Sequence, residues 1–166
     1  MIKYLLLLFL FFSSPANIFS FKALEAETKE SFFESGRENI SKKKYSDALD
    51  DFHNYIKSNP DNWRGYHNRA ISKEFLGDFL GAIADYSKAI ELNPNPWEKS
   101  FFWRGYLHEK NENYDRAILD YSSAIKINPE YEKAYFFRGY LRYILEDYKG
   151  SIEAVSYTHL RAHETE

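Results

Sequence analysis

Arg69, Arg104 and Arg138 each stand immediately before a glycine or an alanine, and Asp51, Asp85 and Asp120 recur at nearly the same interval. A guanidinium and a carboxylate brought together form charge-assisted, often bidentate hydrogen bonds, so these six residues have the chemistry of a repeated clamp. Two pairings fit the spacing. Within one interval, Asp51 would face Ser35 and Arg138 would face Ala154. Across successive intervals, Arg69 meets Asp51, Arg104 meets Asp85 and Arg138 meets Asp120. The second pairing leaves no aspartate without an arginine, so inter-repeat clamps that fix stacking are the expectation. The rival reading is a row of arginines for phosphate.

Catalytic chemistry has no comparable constellation. His53, His67 and His108 show no ligand spacing, and the sequence holds neither a phosphate loop nor a nucleophile motif. The absence of cysteine excludes disulfides, thiolate metal sites and cysteine nucleophiles. The chain is therefore read as non-enzymatic, with no cofactor and no metal. Its net charge of -3 comes from interleaved acids and bases, which gives no basic stripe for a phosphate backbone, so nucleic acid is not an expected partner. With 44% apolar and 19% aromatic residues, 166 residues can bury a substantial core unaided.

What positions the charged rows is a repeated pattern of aromatic and small residues. It is clearest in Tyr66, Ala70, Phe79, Ala82, Tyr86, Ala89 and Pro94, and returns in Phe101, Gly105, Tyr114, Ala117, Tyr121, Ala124 and Pro129. The pattern resembles the tetratricopeptide repeat, a helix-turn-helix unit of about 34 residues. The resemblance implies an all-α, right-handed solenoid with units at 29–62, 63–96, 98–131 and a truncated 132–154, Trp97 being a single insertion. In the second unit, apolar residues three and four apart predict helices over Trp63 to Leu76 and Phe79 to Leu92, reversed at Gly77 and Asp78. Proline biases its preceding residue out of helical geometry, so Asn59, Asn93 and Asn128 are predicted helix stops. Gly36, Ala70, Gly105 and Gly139 should meet Ala48, Ala82, Ala117 and Ser151 where paired helices approach. Tyr45, Phe79, Tyr114 and Tyr148, with Phe52, Tyr86 and Tyr121, should form a continuous core seam.

In the family that the pattern resembles, the first helix of each unit lines a concave surface, with positions 2, 5 and 9 pointing into it. That mapping gives Glu30, Arg64, Lys99 and Lys133 at position 2. It gives Phe33, His67, Phe102 and Phe136 at position 5, and Arg37, Ile71, Tyr106 and Tyr140 at position 9. The implied groove is an aromatic ladder with a basic edge, suited to a protein or peptide carrying apolar anchors and negative charge. The alternative is that neighbouring first helices use these rings against each other. Chaperone-binding members hold a terminal carboxylate with a set of Lys, Asn and Arg side chains. Only Asn68 and Lys99 match that set from the first unit and only Lys133 from the second, while Trp103 and Phe137 stand where polar groups belong. A carboxylate clamp is not expected.

The ends carry separate signals. Lys3, the apolar run Tyr4 to Phe12, then Ser13, Ser14, Pro15 and Ala16 resemble a secretory signal peptide over residues 1–20, so an exported product without stable membrane insertion after cleavage is expected, periplasmic or secreted if the host is bacterial. Residues 155–165, VSYTHLRAHET, resemble one reading frame of a transposase sequencing adapter, and residues 155–166 are read as non-native. His159 and His163, four apart, are thereby set aside as metal ligands. The natural chain is expected to continue, and the exposed end of the fourth unit is expected to self-associate. Two functions follow: a non-catalytic scaffold binding a protein segment, or the N-terminal accessory part of a longer enzyme or envelope-assembly factor.

Overall fold

The computed structural model describes residues 30–93 and 95–146. The signal-like segment, Tyr148, Ser151 and the adapter-like tail lie outside them. The described residues form seven helices and no strand. They are α1 (residues 30–41), α2 (Tyr45–Ser58), α3 (Trp63–Phe75), α4 (Phe79–Leu92), α5 (Glu98–Lys110), α6 (Tyr114–Ile127) and α7 (Glu132–Ile144). Each helix packs chiefly on its sequence neighbours, which is the contact pattern of a linear stack of hairpins. No described helix is long and apolar enough to cross a membrane.

Helix ends follow local chemistry. Asn59, Asn93 and Asn128 leave helical geometry at the three predicted stops, with ψ of 64°, 113° and 95°. Asn62 Oδ1 accepts from the Arg64 amide to start α3, and Asp78 Oδ1 accepts from the Gly81 amide to start α4. Within every unit the reversal uses one left-handed residue at the same place: Lys43 (φ 59°), Gly77 (φ 84°), Glu112 (φ 57°) and Glu146 (φ 61°). Only one of the four is glycine.

Small residues let the paired helices close. Ala48, Ala70, Ala82 and Ala117 are fully buried, and a Cβ on Gly105 would lie 3.0 Å from Asp120 Cβ and 3.1 Å from Tyr121 Cε1. Phe52, Tyr86 and Tyr121 fill the adjacent space completely. Tyr114 packs, half-buried, against the core of its hairpin, whereas Tyr45 and Phe79 sit at the margin. Tyr45 is half-buried and stacks on Phe75 with centroids 4.3 Å apart, while Phe79 is exposed beneath Lys110 of the next hairpin. These rings begin the second helices, where the hairpin opens and a following unit covers only part of each side chain.

Candidate functional site

In the second and third hairpins the arginine and aspartate rows meet within the hairpin, which corrects the inter-repeat pairing. Arg69 donates through Nε and Nη2 to Asp85 at 2.8 and 2.7 Å, and Arg104 does the same to Asp120 at 2.9 and 2.6 Å. In the first hairpin Ser35 Oγ donates to Asp51 at 2.8 Å. The reason is geometric: residues at the middle of two antiparallel helices face each other across the hairpin gap. Both arginines and aspartates are largely withdrawn from water there. Arg69, Arg104 and Arg138 also lie over the rings of Tyr66, Phe101 and Tyr135, one turn earlier, at 5.6, 5.5 and 5.4 Å.

Each aspartate has a further neighbour four residues beyond the first donor. Asn39 Nδ2 donates to Asp51 at 2.8 Å, Lys73 Nζ pairs with Asp85 at 2.8 Å, and His108 Nε2 lies 3.9 Å from Asp120. The signal was in the sequence, because residues four apart share one helix face. The arginines do reach the preceding hairpin, but through serine. Arg104 Nη1 donates to Ser87 Oγ at 3.0 Å and Arg138 Nη1 to Ser122 Oγ at 3.3 Å. Arg138's in-hairpin counterpart, Ala154, lies outside the described residues.

The expected groove rings at position 5 are junction core. Phe33 is 1% exposed and Phe102 is 2% exposed, so neither lines a binding surface. Phe33 packs on Phe52 and Tyr55 under the Arg64 guanidinium of the next hairpin. Phe102 contacts Tyr121 in its own hairpin, Tyr131 at the junction just before α7, and Phe137 in the next hairpin. His67 is likewise buried rather than groove-facing, with Nδ1 hydrogen-bonded to Ser100 Oγ at 2.8 Å and its ring 4.8 Å from that of Trp97. Burial, reinforced by the nearby Lys99 charge, pushes its pKa down to about 4, so it is neutral at physiological pH. In these three cases neighbouring first helices use the position against each other.

What remains open on the first-helix face is different. Arg64, Lys99 and Lys133 are exposed at the second residue of α3, α5 and α7, and Arg37 is exposed on α1 beside Glu34, 3.4 Å away. Lys99 Nζ sits 4.8 Å above the Trp97 ring. Half-buried rings at positions 6 and 9 form a connected row: Trp103 to Tyr106 at 5.8 Å, then Tyr106 to Phe137 at 6.1 Å. By spacing alone Trp103 and Phe137 stand out only as mismatches to a carboxylate clamp. Phe136 and Tyr140 are exposed on α7. Among the described residues no group of three His, Cys, Asp or Glu side chains could hold a metal ion.

Comparisons with known proteins agree with this architecture. Residues 64–96 and 98–131 match the family described as Tetratricopeptide repeat. Over 97 residues the chain is 31% identical to Hsp70-Hsp90 organizing protein 3 of Arabidopsis thaliana, a match spanning 58% of this chain and 17% of that protein. The solved TPR2B domain of yeast Sti1, in complex with pHsp70, is similar with 25% identity and a TM-score of 0.60, covering 78% of this chain and 98% of that one. The crystal structure of MamA superposes with a TM-score of 0.73 at 22% identity, covering 87% of this chain and 84% of that chain. The described residues are thus an all-α stack of tetratricopeptide repeats.

Proposed function

We propose that this chain is a non-catalytic protein-interaction scaffold whose first-helix face holds an acidic protein segment with apolar anchors, in an exported compartment. The observation that carries the reading is the row Arg64, Lys99 and Lys133. Each cation stands at a helix N-terminus, where the macrodipole disfavours it by about 0.3 to 1 kcal/mol. None forms an ion pair with a carboxylate among the described residues. Arg64 and Lys99 lie over the rings of Phe33 and Trp97, and a carboxylate-bearing segment running along the edge would supply the counter-charge that the row lacks. The adjoining rings of Trp103, Tyr106 and Phe137 supply rigid apolar area for anchors.

The likeness to an Hsp70-Hsp90 organizing protein and to a domain solved in complex with pHsp70 supports a protein partner. Recognition differs from a terminal-carboxylate clamp, because Trp103 and Phe137 offer rings where that clamp needs polar groups. The test is fluorescence anisotropy with a labelled peptide alternating Glu with Leu and Phe, in free-acid and C-terminally amidated forms. Both forms should bind, more weakly in high salt, and Lys99→Glu with Lys133→Glu should weaken them by about tenfold. Indifference to charge reversal, or dependence on the free terminus, contradicts the proposal. Export is tested by the mass of the mature chain from a secreting host, expected to begin after Ala16 or Ser20. A retained Met1 contradicts it.

A further inference from the structure

The reversal between α3 and α4 differs from its neighbours in the stack. Residues 75–80 are exposed without a break, and Phe75, Leu76, Phe79 and Leu80 are 59%, 49%, 39% and 71% exposed. The left-handed residues Lys43, Gly77 and Glu112 align this turn with those before and after it. Where the second hairpin has Phe75, Leu76 and Leu80, the first has Ser41, Lys42 and Ser46, and the third has Lys110, Asn111 and Asp115. The apolar cluster is therefore particular to this turn, and with a described hairpin on either side its openness is not that of a terminal repeat.

Cations stand on both sides of the cluster. Tyr45, which stacks on Phe75, follows the exposed run Lys42, Lys43 and Lys44, and Lys110 Nζ lies 5.6 Å above the Phe79 ring. Lys43, Lys44 and Lys110 form no ion pair among the described residues. Of the acids near these turns, Glu38 pairs with Lys42 and Asp78 Oδ1 accepts from the Gly81 amide, while Glu112 and Asp115 lie on the third hairpin. The amides of the reversal are already used: those of Leu76, Gly77 and Asp78 donate to the carbonyls of Ser72, Glu74 and Lys73. Such a turn can enter an apolar medium without stranding these donors. Apolar side chains flanked by lysines match a layer that offers hydrocarbon beneath phosphate, and a fluid layer closes around a projecting turn that no groove has to fit. We propose that this turn is a peripheral lipid-contact site, with Phe75, Leu76, Phe79 and Leu80 entering the interface of an anionic phospholipid layer and Lys43, Lys44 and Lys110 holding its phosphates.

The full chain contains no cysteine, so an introduced one can carry an environment-sensitive dye at a single place. Dye on Leu76→Cys should brighten and shift to the blue with vesicles of phosphatidylglycerol in phosphatidylcholine, but not with phosphatidylcholine alone. Dye on Leu119→Cys, at a residue 67% exposed on α6, should stay unchanged. In the labelled Leu76→Cys chain, Lys43→Gln with Lys44→Gln should weaken the lipid titration about thirtyfold and Leu80→Ser about tenfold. No shift at Leu76, an equal shift at Leu119 or on neutral vesicles, or a titration unmoved by these variants overturns the proposal. So does a shift at Leu76 that the acidic Glu, Leu and Phe peptide produces and vesicles do not, which would give the turn to a protein segment.

Discussion

Asp120 accepts two hydrogen bonds from Arg104 with its side chain only 7% exposed, so its charge relies on that guanidinium in place of water. Removing one member strands the other, and Asp120→Ala should cost about 3 to 5 kcal/mol, whereas Arg104→Met with Asp120→Leu should cost far less than the sum of the single changes. Urea midpoints for the three variants check this; additive losses contradict it. His67 gives a pH signature. Its unfolded pKa is near 6.5 and its folded value is about 4. Above about pH 6.5 neither state holds the proton and stability is full. As pH falls toward 4 the unfolded state gains a proton that the folded state refuses, so stability falls at a limiting rate of about 1.4 kcal/mol per pH unit. His67→Phe, the ring found at Phe33 and Phe102, should flatten this slope between pH 7 and pH 5. His108, which burial also pushes down, stays in both proteins and cancels in the comparison. Spacing alone made the arginines and aspartates visible as a set. It could not say which aspartate each arginine meets, because a period marks equivalent places and is blind to whether the facing helix belongs to the same hairpin or the previous one.

At the scale of the element, the hairpins were legible because proline, glycine and helical spacing act locally. The predicted second helix of the central unit, Phe79 to Leu92, coincides with α4, and all three asparagine stops end a helix. The reversal was legible only at Gly77. Lys43, Glu112 and Glu146 take the same left-handed backbone against their intrinsic preference, since a side chain there costs about 1 to 2 kcal/mol while glycine costs about 0.5 to 1 kcal/mol in unfolded-chain entropy. Glu112→Gly and Lys43→Gly should each therefore stabilise by about 0.5 kcal/mol, read as a higher thermal midpoint. Destabilisation by either would mean that the lost side chain contributes more than the relieved backbone.

For the molecule as a whole, the period established that hairpins repeat, but the fate of each ring depended on its neighbours in the stack. One aligned position holds Phe33, His67, Phe102 and Phe136, and the first three are sealed by a following hairpin while the fourth is open. A residue type that is apolar and aromatic serves a junction and a groove equally well, so sequence could not separate the two roles. The row of rings at Trp103, Tyr106 and Phe137 became visible only once the junctions had claimed the others. The central claim is that stability passes from hairpin to hairpin through such junctions. Phe102→Ala empties the one between the third and fourth units, at a cost of about 3 to 5 kcal/mol. Amide hydrogen exchange resolved along the chain tests the claim most directly. Exchange should quicken through α5, α6 and α7 with α2 close to wild type, whereas uniform acceleration from α1 to α7 would contradict such coupling.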